Sequence, residues 1–295
     1  METKQNVEGI PTTPPKERMG KLKYCIAVFS STLLKTLAVG FGIFIIFFSI
    51  GVATVATQEK QCNVSVRTLH GDLVTYSYGG DETDSGALVR GLERDEQDEN
   101  IKAIVLDIDS PGGYPVAGEE VAGGLARLTK PNVAVIRSVG ASAAYWAATG
   151  ADKIFASRSS DVGSIGVIVS FPDESEKNKR DGVAFNEISS GKFKNVGTPN
   201  RPITAEEKSL IERDIQEIFE QFVATVATAR HLDIEKVRAL ADGSTMTGKR
   251  AKEEGLVDTI GGLEEARAYL KESMNEEPVF CEPDSETFLE SSSYF

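Results

Sequence analysis

Histidine is nearly absent from this chain: His70 and His231 are its only two in 295 residues. Neither stands in a recognisable motif, which counts against a Ser-His-Asp triad, and so few imidazoles make a zinc centre a poor fit. Cysteine is as scarce. Cys25, Cys62 and Cys281 show no metal-ligand spacing, and a Cys62–Cys281 bridge is topologically open without being required. Positive charge is in deficit, with 32 basic against 45 acidic side chains and a formal net charge of −13. That balance argues against a nucleic-acid partner and against electrostatic adhesion to anionic lipid. No internal repeat of about 20–50 residues is visible, which excludes a solenoid.

Long charge-free runs are also missing, with one exception. Residues 36–57 (TLAVGFGIFIIFFSIGVATVAT) hold 22 residues without a charge, about 33 Å as a helix and enough to cross a bilayer. A core helix would show a polar face and this run has none, whereas a signal peptide has a shorter apolar run nearer the start. The stretch Ala53-Thr54-Val55-Ala56 leaves cleavage open. Lys16, Arg18, Lys21, Lys23 and Lys35 precede the run and little positive charge follows it, so the N-terminus is expected in the cytoplasm and the rest outside. The expected organisation is a cytoplasmic segment at 1–35, a transmembrane helix at 36–57, an extracytoplasmic domain at 58–275 and an acidic flexible tail at 276–295. The first 57 residues carry six basic and three acidic side chains, leaving 26 and 42 for the remainder.

In that remainder, apolar runs alternate with amphipathic ones. Residues 101–108 (IKAIVLDI) and 132–136 (NVAVI) read as buried parallel strands, 64–73 and 153–156 as further strands, and 84–95, 117–128 and 143–149 as helices. This alternation predicts an α/β layered fold on a parallel sheet. Thr204-Ala205-Glu206-Glu207 matches a capping box, and Leu210, Ile211, Ile215, Ile218, Phe219, Phe222, Val223 and Val226 continue it as a helix with a wide apolar stripe. A shorter helix at 248–254 ends at Gly255.

Four groups could carry chemistry. Asp109-Ser110-Pro111-Gly112-Gly113 follows a buried strand, and Gly112 and Gly113 would let backbone N–H groups approach an oxyanion; a tight turn accounts for them equally well. Ser142 stands where a strand gives way to a helix, with the Ala143 N–H beside it, and suits a helix cap as much as a nucleophile. Ser164, within Val162-Gly163-Ser164-Ile165-Gly166-Val167, offers a hydroxyl to orient another group or merely a turn. With no histidine in place, Lys194 in Gly191-Lys192-Phe193-Lys194 is the candidate base. A lysine acts as one only when stripped of its proton, which burial favours, and spacing alone does not show that it reaches Ser142.

In this order, DSPGG, the serine before Tyr145-Trp146, VGSIGV, SGKFK, the Thr-Ala-Glu-Glu helix and TMTGKRAKEEGLVDTIGG resemble the signal peptide peptidase family of SppA type, in its short, single-domain, N-terminally anchored form. The similarity runs over about residues 65–272. It implies a Clp protease/crotonase-like fold, Ser142 as nucleophile, Lys194 as general base, Ser164 as the group orienting the lysine, and Gly112 or Gly113 with Ala143 as oxyanion donors. It implies no metal or organic cofactor, and a homo-oligomeric ring in which serine and lysine meet across a subunit boundary. The implied activity is a membrane-anchored serine endopeptidase that degrades cleaved signal peptides or other exposed peptides at the outer face of the cytoplasmic membrane. Two alternatives are an NfeD-associated type of Ser-Lys protease acting on a membrane partner and a catalytically silent ring-forming scaffold. One departure stands out: the family has two glycines where this chain has Ala143 and Ala144, and two extra methyls are expected to narrow the site. Residues 171–182 are also unusually charged.

Overall fold

The computed structural model describes residues 62–281 and the isolated Phe41; the predicted membrane span at 36–57 otherwise lies outside them. Among the described residues no helix is long and apolar enough to cross a membrane. All of residues 62–281 belong to one compact unit.

Its frame is a mostly parallel sheet in the order β2-β1-β3-β4-β5-β8. The strands are β1 (Val64–Val74), β2 (Glu82–Asp84), β3 (Ala103–Gly113), β4 (Asn132–Ala141), β5 (Lys153–Ala156) and β8 (Thr259–Ile260). A short β6 (Asp161–Gly163) pairs parallel with the end of β4 and antiparallel with β7 (Thr245–Thr247). Along β3, Ile104, Leu106 and Ile108 face one side of the sheet while Ala103 and Val105 face the other, the alternation that a strand buried on both faces requires. The first side is covered by α1 (Ser85–Gln97), α2 (Pro115–Ala126), α3 (Ala143–Ala148) and α5 (Ala205–Arg230), whose Leu92, Val121, Trp146 and Phe222 share one core with it. The second side is covered over part of its length by α8 (Leu263–Met274), through Ala266 and Leu270.

The helix starts follow from their capping residues. Asp84 accepts the Ala87 N–H at the head of α1, Pro115 opens α2 where its missing N–H is harmless, and the Thr204–Glu207 capping box is formed at α5. Gly255 ends α7 (Gly248–Glu254) in the left-handed region at φ 90°. Helices α4 (Ser175–Arg180) and α6 (Ile234–Leu240) complete the described set. In the charged 171–182 stretch, Lys177 and Lys179 of α4 form exposed ion pairs with Glu174 and Glu176.

Two expected boundaries are corrected. Strand β3 does not stop at Ile108 but runs through the glycines, because Asp72 and Leu73 continue to pair with Gly112 and Gly113 after a register shift. Likewise β4 runs to Ala141, with Gly140 opposite Ser110. Inside the segment read as a flexible tail, Val279 accepts from the Asn63 and Val64 amides at 2.9 and 3.1 Å, Phe280 bridges to Val64, and Cys281 is disulfide-bonded to Cys62. The tail is therefore tied to the sheet as far as Cys281, and residues 282–295 lie outside the described structure.

Candidate active site

Strands β4 and β6 end side by side, Ala141 opposite Gly163. The next residue in each is a serine in the left-handed region, Ser142 at φ 53° and Ser164 at φ 50°. A non-glycine residue in a sparsely populated conformation costs about 1–3 kcal/mol and survives only where its surroundings dictate it. Here they do. The Ser142 N–H donates to the Gly163 carbonyl at 2.8 Å and the Ser142 carbonyl accepts from Trp146 N at 2.9 Å. Helix α3 is itself wedged into the core, its Trp146 ring stacked on Phe222 with centroids 4.4 Å apart. The buried Tyr145 hydroxyl donates to the Leu256 carbonyl at 2.9 Å, and burial pushes that phenol far above its ordinary range.

Ser142 occupies the cap position of α3, yet its side chain makes no capping hydrogen bond. The residue is half-buried, and its hydroxyl is not spent on capping the helix it precedes. Ala143, first in α3, has an amide with no acceptor inside the helix.

Gly112 sits directly against this elbow. A methyl built on it would meet Ser142 Cβ at 2.7 Å, the Ala141 carbonyl at 2.8 Å and Ala143 N at 3.0 Å, and its φ of 112° suits glycine. The Gly112 amide donates to Ser110 Oγ at 3.1 Å, so its amide is already engaged. Gly113 follows, its backbone packed onto Leu73. The concern over Ala143 and Ala144 is removed. Both methyls are buried in the core, and a methyl on Gly118 of α2 would lie 3.3 Å from that of Ala143. The extra carbons fill space beneath the elbow.

Ser164 donates its hydroxyl to the Gly243 carbonyl at 3.0 Å, which leaves its oxygen lone pairs able to accept. Lys194 is exposed, in a turn closed by its own amide on the Gly191 carbonyl at 3.1 Å. Among the described residues its ammonium has no hydrogen-bond or ion-pair partner, and the Ser142 hydroxyl has none either; within one chain the two are not hydrogen-bonded. The chain between β6 and α5, which carries Lys194, is mostly without regular structure and shows exposed apolar groups, among them Ile168 (85%), Phe185 (53%) and Ile188 (102%). The histidines stay apart: His70 is exposed on β1 and His231 caps α5 at φ 54°. No cluster of metal-ligating side chains occurs among the described residues.

Sequence reasoning missed Glu187, Asn195 and Arg201, which surround the lysine turn. Glu187 accepts from Asn195, from Thr198 Oγ1 at 3.0 Å and from Asn200 Nδ2 at 3.1 Å, and these bonds hold its carboxyl below the usual range. Only the capping box of Glu207 was legible in advance.

The profile of Peptidase family S49 matches residues 125–276. A Methanocaldococcus jannaschii protein provisionally named a protease is 38% identical over 182 residues, 61% of this chain and 58% of that one. An Enterococcus faecium protein provisionally named signal peptide peptidase SppA is 34% identical over 61% of this chain and 53% of its own length. The chloroplastic serine protease SPPA of Arabidopsis thaliana is 32% identical over 64% of this chain and 28% of its own. The match thus spans little more than half of the first two relatives. Since the family profile covers more than half of this sequence, the chain belongs to peptidase family S49.

Proposed function

We propose that this chain is a serine endopeptidase in which Ser142 is the nucleophile and Lys194 the general base. The observation that carries the proposal is the Ser142 elbow: a hydroxyl spared from capping, held at φ 53° between Gly112 and the end of β6. In this scheme Ser142 Oγ attacks a peptide carbonyl while Lys194 takes its proton and later returns it to the leaving amine. The negative oxygen that develops is met by the Ala143 amide and, from the glycine strand, by Gly113; Ser164 accepts a hydrogen bond from the lysine ammonium. The exposed lysine and the unpartnered serine of a single chain favour a dyad shared between neighbouring subunits of a homo-oligomeric ring. Packing against a neighbour strips water from the amine, which favours the neutral form that a base requires.

Residues 36–57 would anchor the enzyme in the cytoplasmic membrane, N-terminus inside, with the catalytic domain outside. The Cys62–Cys281 disulfide supports an oxidising compartment for that domain. The substrates would be released signal peptides or other exposed peptides.

The test is covalent. A serine-reactive phosphonate should label Ser142 in the assembled wild-type protein, with the adduct located by peptide mass spectrometry. Absence of label there would leave the chain a silent scaffold and overturn the assignment.

Gly112→Ala makes a second prediction. The added methyl must displace Ser142 or the Ala143 amide, and a misplacement of about 1 Å costs roughly 100-fold in rate. We expect kcat to fall by about that factor with KM little changed, measured on a fluorogenic peptide. Activity near wild type would show that the elbow yields without consequence.

A further inference from the structure

The turn that bears Lys194 is fastened by side chains the reaction scheme does not use. Asn195, its immediate neighbour, is gripped at both ends of its amide: Nδ2 donates to Glu187 and Oδ1 accepts from Arg201 Nη2 at 3.5 Å. Glu187 also takes Thr198 and Asn200, so its three partners all lie in the six residues that follow Lys194. Arg201 in turn is locked two-pronged onto Glu207, at 2.8 and 2.6 Å. Glu207 is buried, 3% exposed, in the first turn of α5 and receives the Thr204 amide at 3.0 Å. The Arg201 and Thr204 hydrogen bonds hold its carboxyl down at about 2. Lys192 adds an exposed ion pair with Glu206 of the same helix turn, which contributes little by itself.

Two further observations give this buckle its meaning. Glu187, Asn200 and Arg201 line an open cavity of about 420 Å³ together with Asn178, Val183 and Phe185, so on that side no packed core backs the hydrogen bonds. Those bonds tie the residues that follow Lys194 to Glu187 and, through Arg201, to Glu207. The helix the turn fastens to also braces the nucleophile: Phe222 of α5 stacks on Trp146, four residues after Ser142. One rigid helix thus sets the Ser142 elbow through its C-terminal half and the Lys194 turn through its first turn.

We infer that Glu187 and Arg201 are positioning residues for the general base, acting on Lys194 through Asn195 and referring its turn to α5. The inference rests on the reading of Lys194 as base. Glu187 separates a positioning role from a structural one, because it lies outside every helix and strand and is exposed.

The experiment compares Glu187→Ala, Glu187→Gln, Arg201→Lys, Lys194→Ala and the double variant Glu187→Ala/Lys194→Ala in the full-length assembled protein. It records kcat, KM, melting temperature and assembly size. Glu187→Ala should lower kcat by about 10- to 100-fold with KM, melting temperature and assembly size unchanged. Glu187→Gln, which keeps one acceptor oxygen for Thr198 and Asn200, should recover part of that loss. Arg201→Lys should resemble Glu187→Ala in kcat, since a lysine cannot reproduce the two-pronged contact. The double variant should be no slower than Lys194→Ala alone, because a residue that acts only through the lysine has nothing left to act on. A wild-type kcat in Glu187→Ala, a double variant slower than Lys194→Ala, or a kcat loss that merely tracks a lower melting temperature or smaller assembly would each overturn the inference. An active Lys194→Ala would instead overturn the reading beneath it.

Discussion

Rings assembled from a mixture of Ser142→Ala and Lys194→Ala subunits should cleave peptides, although neither variant alone should do so. Each substitution removes half of the proposed dyad, and losses of about 10⁴- to 10⁶-fold are usual when one member of such a unit is deleted. The prediction of recovery comes from geometry. In a single chain Lys194 is exposed without a partner, and the Ser142 hydroxyl has none among the described residues. Exposed apolar groups such as Ile168 and Ile188, in the irregular chain that precedes the lysine turn, are the kind of surface that a neighbouring copy covers. In a head-to-tail ring every junction repeats the same pairing. If the serine of one subunit meets the lysine of the next, random one-to-one mixing makes about a quarter of junctions wild type in both members. Activity should therefore return to about a quarter of the wild-type value per ring. The measurement is subunit exchange or co-refolding, native mass spectrometry to establish mixing, and a fluorogenic peptide. Mixed rings without activity would mean that the dyad closes within one chain.

How much of this was legible in the sequence depended on the length of each signal. The β-branched runs of β3 and β4 announced buried parallel strands, and the capping box announced α5 with its correct start. The strand ends were not legible. Pro111-Gly112-Gly113 has the composition of a turn, and only its pairing with Asp72 and Leu73 keeps it in the sheet. Strands β6, β7 and β8, of two or three residues, are too short to show a period, although β6 is what sets Ser164 beside Ser142. Ser142 itself was ambiguous because a nucleophile at a helix start and a cap occupy the same position; whether the hydroxyl makes the capping bond, which separates a cap from a free hydroxyl, is visible only in the fold. The Ala143-Ala144 departure pointed the wrong way, since both methyls are buried in the core and Gly118, on a different helix, leaves room for that of Ala143. No local pattern marks Glu187, whose partners are 8, 11 and 13 residues away in a loop.

Removing the disulfide, by reductant or by Cys62→Ser/Cys281→Ser, should lower the melting temperature by roughly 10–20 °C, at about 2–4 °C per kcal/mol for a domain of this size. The two cysteines are 219 residues apart and so close a loop around nearly the whole described domain. In the chain-entropy account, cross-linking so long a loop restricts the unfolded chain by about 5 kcal/mol at 25 °C. The folded state already holds the two ends together without the sulfurs. Val279 N donates to Asn63 Oδ1 at 2.7 Å, Cys281 N donates to the Val64 carbonyl at 2.8 Å, and the Arg267 guanidinium lies 4.3 Å from the Phe280 ring centroid. The fold should therefore survive the loss, and the penalty should fall on the unfolding equilibrium. Both cysteines are only partly buried, so reductant and double substitution should give the same shift, read by calorimetry on matched samples. A shift below about 3 °C, equivalent to about 1 kcal/mol, would mean that the unfolded chain is already compact or that the strand contacts suffice. A full shift would make an oxidising surrounding a condition of the enzyme's stability, and so tie its working compartment to a bond in its own fold.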